Sequence, residues 1–224
     1  MKPDEKHPPA VSRSVIRRLP RYHRYLRTLL ARGQERVRSR ELARLMRVNA
    51  SQIRQDLNCF GGFGQQGYGY NVRSLYDAIG DLLGVNEGST AVILGLGNLG
   101  SALANSPMFA RRGVRVLALF DVSPALVGGE IAGLPVRHID TLEAFCAEET
   151  VDFAVLATPR PAACDLAARL AALGVRGIWN FADADVTAAA PGVIVENMHL
   201  SDSLMKLCYD LKNAAGAEEG KEET

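Results

Sequence analysis

Six residues constrain this chain more than any others: Gly95-Leu96-Gly97-Asn98-Leu99-Gly100, a G-x-G-x-x-G turn set between two apolar runs. Ala91–Leu94 before it is a short continuous apolar run, suited to a strand buried on both faces. Leu99, Ala102 and Leu103 follow at helical spacing, so the turn opens a helix. Arg115–Phe120 is a second apolar run, and Asp121 stands at its end, 21 residues after Gly100. Strand, glycine turn, helix and a second strand closed by an acid is the opening of a doubly wound parallel α/β sheet.

Each part of this stretch has a chemical task. Gly95 permits a tight turn, Gly97 lets backbone approach a pyrophosphate, and Gly100 lets helix and strand pack closely. The helix start turns free N–H groups and partial positive charge toward phosphate. Asp121 can accept from both hydroxyls of an adenosine ribose and would repel a 2′-phosphate. Val122 and Ser123 follow it with no basic residue, so the pattern favours NAD(H) over NADP(H).

Charge divides the chain. Residues 1–80 hold 16 Lys and Arg against 6 Asp and Glu, whereas residues 81–224 hold 10 against 19, and the net charge of +1 conceals this. Such asymmetry predicts two domains with different partners, and the basic one suits phosphate backbones. Cys59, Cys146, Cys164 and Cys208 are scattered without a C-x-x-C, which predicts a reduced, cytoplasmic setting and no metal site. The charged N-terminus lacks a signal-like apolar stretch, and no apolar run is long enough for a membrane span.

Residues 1–11 carry three prolines and mixed charge and are expected to be disordered. Leu19, Tyr22, Tyr25, Leu26, Leu29 and Leu30 then follow the rhythm of an amphipathic helix, with Pro20 in its first turn and Gly33 past its end. Arg17, Arg18, Arg21, Arg24 and Arg27 lie on the other face. A second helix is expected over Ser39–Met46, with Ser39 as N-cap, and a third over Ala50–Asn58 after the short turn Arg47-Val48-Asn49. In the third, Ile53 and Leu57 point inward, while Ser51, Gln52, Arg54, Gln55 and Asn58 point away. That is a helix-turn-helix offering polar side chains to base edges. The glycine- and aromatic-rich FGGFGQQGYGYNV that follows reads as a hairpin, or wing. Candidate DNA contacts are therefore Arg18, Ser51, Gln52, Arg54, Gln55 and Asn58, with Gly64, Gln65, Gln66, Gly67 and Tyr68 of the wing.

Val72–Leu83 has helical periodicity, and Gly84–Ser89 reads as a linker, which puts a winged-helix domain over residues 12–86. Residues 87–198 then continue the α/β alternation of a Rossmann-type doubly wound parallel sheet. Ser123–Val136 reads as loop, Thr141–Glu149 as a helix capped by Thr141, Val151–Ala157 as a strand and Pro161–Leu173 as a helix. Gly177–Phe181 and Val193–Glu196 are the last strands. Ligands in such a sheet sit past the carboxyl ends of its strands. The candidate cofactor residues are accordingly Gly95, Leu96, Gly97, Asn98, Leu99, Gly100, Asp121, Val122, Thr158, Pro159, Asn180 and Phe181, with Asn180 equally readable as a cap. A final amphipathic helix, over residues 199–213, has no strand left to cover, so its apolar face (Leu200, Leu204, Leu207, Cys208, Leu211) folds back or meets another subunit. Residues 214–224 are acidic and expected to be disordered.

With these features in one chain, the sequence resembles the Rex family of redox-sensing transcriptional repressors. The resemblance spans about residues 12–211. It is carried by IRRLPRYHRYL (16–26), SRELARLM (39–46), IRQDLNCFGGFGQQGYGYNV (53–72), GLGNLGSALA (95–104), ALFDVSP (118–124), GIWNFA (177–182) and VENMHLSDSL (195–204). It implies a homodimeric bacterial repressor in which NADH and NAD+ compete for the Rossmann domain and NADH binding releases a palindromic operator on double-stranded DNA. Genes of fermentation and respiration are thereby derepressed. It also implies that the C-terminal helix is exchanged between subunits.

Some positions differ from the family's usual residues: Gln55 replaces a lysine, Gln65 and Gln66 a basic wing turn, Ser106 a tyrosine, His199 an aspartate, and TPRPAA the usual VPxEAA. His199 stands at a strand–helix junction, as a cap or as a proton switch. Two other functions remain open to the residues alone. One is a winged-helix regulator of a different nucleotide. The other is a small NAD-dependent oxidoreductase or CoA-binding ligase subunit, against which stands the absence of lysine and of any histidine but His138 from residues 88–198.

Overall fold

The computed structural model describes residues 11–59, 64–65, 68–85 and 87–219, and the chain divides into two units, residues 1–87 and 88–224. In the first, α1 (Arg13–Ile16) leads into α2 (Leu19–Ala31), followed by β1 (Arg36–Val37), α3 (Ser39–Met46) and α4 (Ala50–Asn58). Then come β2 (Gly64–Gln65), β3 (Gly69–Asn71) and α5 (Val72–Leu82). The strands form a small antiparallel sheet in the order β1-β3-β2, with Gly64 opposite Tyr70 and Gln65 opposite Gly69. Three helices, a hairpin and a strand pairing its base make a winged helix. The strand β1 has no sequence signal beyond Val37, because two residues cannot show a period.

The core of this unit follows from spacing. Leu19, Tyr22, Leu26 and Leu29 fall on one face of α2 and are buried against Leu42, Met46, Ile53, Leu57, Val72, Leu75 and Ile79. Each such leucine or isoleucine contributes about 1.5–3 kcal/mol by leaving water. Val11, expected in the disordered arm, instead packs against this core, because it is the apolar residue next to α1. Residues 1–10 lie outside the described residues, as do Phe60–Phe63, Gln66, Gly67 and Asn86. Ser39 is the first helical residue of α3 rather than its cap. Arg38 holds the N-cap position without a side-chain bond. Asn49 does cap α4, its Oδ1 accepting the Ser51 N–H at 2.9 Å.

The second unit holds β4 (Ser89–Leu94), α6 (Asn98–Ala104), β5 (Val114–Asp121), β6 (Glu130–Ile131) and β7 (Leu134–His138). It continues with α7 (Leu142–Glu148), β8 (Phe153–Leu156), α8 (Arg160–Ala172), β9 (Gly177–Asn180), β10 (Ile194–Asn197) and α9 (Leu200–Glu219). The sheet order is β10-β9-β8-β4-β5-β7-β6, parallel except for the β6–β7 pair. Its parallel strands read third, second, first, fourth, fifth, sixth from the β7 side, a Rossmann order whose direction reverses between β4 and β8. Successive residues of β4 serve opposite faces. Val92 and Leu94 pack with Phe120, Phe145, Leu156 and Leu166, while Ile93 packs with Phe109, Leu119, Val136 and Val155. Covered on both faces, the run had to be apolar throughout.

Three local expectations are corrected. Residues 123–136 are not loop throughout: β6 and β7 form a hairpin whose two-residue turn, Ala132-Gly133, has φ of 53° and 77°. Two positive values in succession are the mark of a type I′ turn. Pro135 obscured β7, yet it pairs with Glu130 on the short edge strand β6, where proline is tolerated. Thr141 makes no side-chain cap to α7. Its hydroxyl donates to the His138 carbonyl at 2.8 Å, closing a 3₁₀ turn over Ile139–Thr141. Finally, α9 continues to Glu219 instead of ending at 213, since Ala214, Ala215 and Ala217 favour helix.

Candidate functional site

In the first unit α4 turns Ser51, Arg54, Gln55 and Asn58 to solvent and leaves Gln52 half-buried. Arg54 Nη2 donates to Ser51 Oγ at 3.0 Å, which ties two neighbouring polar groups on this face. On the wing Tyr68 is 69% exposed, and the Arg36 guanidinium lies 6.0 Å from its ring centroid. The backbone of Gly64 and Gln65 forms the wing strand β2. Gln66 and Gly67 lie outside the described residues.

Not every arginine of α2 and its approach faces outward. Arg21 donates from Nη2 to the Met46 carbonyl at the end of α3. Arg18, a candidate DNA contact, grips Asp56 through Nε and Nη2, each at 2.7 Å. The Tyr22 hydroxyl donates to the same carboxylate at 2.8 Å, and Gln52 Nε2 at 2.8 Å. Asp56, only 1% exposed, thus joins α4 to the α1–α2 segment. Burial pushes its carboxyl up, but bonds from Arg18, Gln52 and Tyr22 outweigh burial and hold it below the usual carboxylate range. Burial, then the bond to Asp56, raises Tyr22 well above the usual phenol. Sequence reading passed over Asp56. Its place three residues after the inward-facing Ile53 was the available signal.

In the second unit a cavity of about 490 Å³ opens at the carboxyl ends of β4, β5 and β8. It is lined by Gly95, Gly97, Asn98, Leu99, Asp121, Val122, Thr158 and Pro159, so eight of the twelve candidate cofactor residues meet there. A Cβ on Gly95 would lie 2.6 Å from the Ala157 carbonyl oxygen, and one on Gly100 only 1.8 Å from that of Gly95. At Gly97 a Cβ would meet nothing within 4 Å. Two glycines therefore answer to the protein's own packing, and the third leaves space. One Asp121 oxygen accepts the Leu96 N–H at 2.6 Å and the other the Ser123 N–H at 2.8 Å, which pins the carboxylate beside the glycine turn. The Thr158 hydroxyl is buried and has no hydrogen-bond partner among the described residues. A buried polar group left so is costly unless something else satisfies it.

The remaining candidates stand apart. Leu96 is buried with Ile93, Phe109 and Leu119, and Gly100 packs on Gly95. Asn180 is fully buried and its amide is used internally. It donates to the Ala184 carbonyl at 2.6 Å and to Asn197 Oδ1 at 2.8 Å, and accepts the Ala182 N–H at 3.0 Å. Its capping alternative is what the geometry displays. Phe181 stacks obliquely on Trp179, 4.6 Å between centroids, away from the cavity. The cavity's apolar wall, Phe120, Ile139, Ala162 and Leu166, was missed. Ala162 and Leu166 are one turn apart on α8, the spacing that would have paired them.

Ser106 Oγ accepts the Met108 N–H at 3.3 Å, and the His199 carbonyl accepts the Asp202 N–H at 3.2 Å where α9 begins. Among the described residues no helix is long and apolar enough to cross a membrane, and no cluster of His, Cys, Asp and Glu is arranged to hold a metal.

Residues 10–58 match the family model described as putative DNA-binding protein N-terminus, and residues 85–184 the model described as CoA binding domain. The redox-sensing transcriptional repressor Rex of Clostridium botulinum (strain Eklund 17B / Type B) is 46% identical over 201 residues, covering 90% of this chain and 95% of that protein. That of Clostridioides difficile (strain 630) is 48% identical over 202 residues, 90% and 96%. Among solved structures, RSP in complex with β-NAD+ and operator DNA superposes with a TM-score of 0.85 at 46% identity, over 96% of this chain and 98% of that one. RSP in complex with β-NADH gives 0.85 at 43%, over 94% and 98%. The chain therefore belongs to the Rex family of redox-sensing transcriptional repressors.

Proposed function

We propose that this protein is a homodimeric repressor that binds a palindromic operator in the bacterial cytoplasm and is released from it by NADH. The observation that carries this reading is the cavity of residues 88–219: open space over Gly97, a pinned Asp121 and an orphaned Thr158 hydroxyl, in one chain with a winged helix. These residues fit a dinucleotide. Gly95–Leu99 would hold the pyrophosphate, Asp121 the adenosine ribose, and Thr158 would gain its missing partner. The wall of Phe120, Ile139, Ala162 and Leu166 suits an adenine ring. When bound, the cofactor supplies only its redox state as a signal, and the regulation is linkage rather than turnover. Ligand and operator prefer different states of the dimer, so each weakens the other.

On DNA, Ser51, Gln52, Arg54, Gln55 and Asn58 would enter the major groove, with Tyr68 and the wing on the backbone or minor groove. Arg18 spends Nε and one Nη2 hydrogen on Asp56, and its remaining N–H groups would reach phosphate. The dimer contact is assigned to α9, where Leu200, Leu204, Met205, Leu207 and Leu211 are all more than half exposed.

Calorimetric titration with NADH, NAD+, NADPH, ATP and CoA tests the ligand. NADH is expected to bind tightest, and tighter binding of CoA or ATP would replace this reading with a different nucleotide sensor. In a band-shift titration NADH should release operator where equal NAD+ leaves it bound, and release by neither would remove the regulatory half.

A further inference from the structure

We infer that Asp56, which no DNA could reach, decides which base Gln52 reads. This rests on the DNA-binding assignment of α4. Gln52 and Asp56 are one helical turn apart, and Gln52 Nε2 lies 2.8 Å from Asp56 Oδ1. A carboxylate accepts and cannot donate, so the end of the Gln52 amide facing Asp56 must be its NH2 group. The flip that leaves most glutamine amides ambiguous is thereby decided by chemistry. Asp56 in turn has no freedom to yield. Arg18 holds both of its oxygens at 2.7 Å, Tyr22 holds Oδ2 at 2.8 Å, and the carboxylate is buried.

An unclamped glutamine on an exposed helix face can present either its oxygen or its NH2 to the groove. Clamped, Gln52 keeps Oε1 as an acceptor with one N–H left to give. It is half-buried, with the exposed Ser51 just before it and the exposed Gln55 three residues on, a neighbour on the helix surface. In the major groove the amino donors are adenine N6 and cytosine N4. Only adenine sets an acceptor, N7, beside its donor, so that both remaining Gln52 groups are used. Gln52 is thus the specificity-determining residue for one adenine in each half-site, and Asp56 is its positioning residue, with Arg18 and Tyr22 behind it.

The experiment begins with an operator selected by the full-length wild-type chain from a randomised duplex pool. Affinity is then measured by fluorescence anisotropy at fixed salt, with each adenine in turn replaced by purine, which lacks N6, or by 7-deazaadenine, which lacks N7. At one adenine per half-site the purine replacement should weaken wild type about tenfold or more. Gln52→Ala should be indifferent to replacement at that adenine while still discriminating at the others. Asp56→Asn should relax selectivity there more than elsewhere, whereas a merely structural role would lower it at every base.

In the free wild-type protein, NMR should show the Gln52 side-chain NH2 protected from water exchange about tenfold more than that of Gln55, a measurement that holds even if Asp56→Asn does not fold. An unchanged purine profile in Gln52→Ala, a guanine or thymine as the base it reads, or a Gln52 amide exchanging like that of Gln55 would each overturn the inference. Failure of the folded wild-type chain to enrich any duplex would instead overturn the DNA-binding reading beneath it.

Discussion

A side chain on Gly100 would meet the carbonyl oxygen of Gly95 at 1.8 Å, so these two residues hold helix α6 against the end of β4 at a separation only glycine allows. Gly97 between them faces open space. Substitution should separate the two roles. Gly100→Ala should destabilise the second unit by about 2–3 kcal/mol through forced backbone movement. Gly97→Ala should change stability by less than about 0.5 kcal/mol and act on NADH affinity instead. Thermal unfolding followed at Trp179, with calorimetry alongside, checks both.

Asp121 is expected to exclude a 2′-phosphate by charge, while its two backbone bonds keep the glycine turn in place. Asp121→Asn removes the charge and retains one acceptor. The ratio of NADH to NADPH affinity should fall about tenfold or more, measured by fluorescence titration of the two reduced cofactors. An unchanged ratio would place the discrimination elsewhere.

The Asp56 cluster should be worth more than its exposure suggests. Arg18→Ala leaves a buried carboxylate with only two of its four bonds and should cost about 2–3 kcal/mol. Tyr22→Phe, which removes one bond to a charged acceptor, should cost about 1.5 kcal/mol. Urea unfolding monitored by amide signals of residues 11–59 gives both values.

The same cluster fixes the sign of a pH dependence. Asp56 titrates lower folded than unfolded. Its contribution is complete above about pH 4 and is lost as pH falls through the folded value. Tyr22 titrates higher folded than unfolded, so its contribution is complete below about pH 10 and fades above it. Stability of the first unit, followed by hydrogen exchange, should drop at both ends. Asp56→Asn should lack the acid limb, and Tyr22→Phe should shrink the alkaline one to the part left by Tyr70, which burial also raises.

Leu204 and Leu207 stand on the exposed face of α9, 60% and 54% accessible. If a second copy covers them, Leu204→Glu with Leu207→Glu should weaken dimerisation at least a hundredfold, about 2.7 kcal/mol. Sedimentation equilibrium should then find monomer at micromolar concentration. Each unit should stay folded, since these side chains pack on neither core.

What could be read from residues alone was whatever repeats or aligns locally. The runs Ala91–Leu94 and Arg115–Phe120 betrayed buried parallel strands because both faces are covered. Leu19, Tyr22, Leu26 and Leu29 betrayed a helix because only one face is. The glycine spacing and Asp121 located the cavity because they belong to one contiguous unit. Strand β7 escaped because Pro135 breaks the pattern while the hairpin geometry tolerates it.

The tertiary structure alone decided partners distant in sequence. Arg18 and Asp56 are 38 residues apart, and nothing local says that a basic residue read as a phosphate contact will hold a buried carboxylate. Asn180 likewise spends on Asn197, 17 residues away, and on nearby backbone the groups that its sequence position offered to a ligand. Periodicity determines which way a side chain faces. What it finds there depends on how separate elements pack, and that packing turned Asp56 into the support of Gln52 and left the Thr158 hydroxyl without a partner among the described residues.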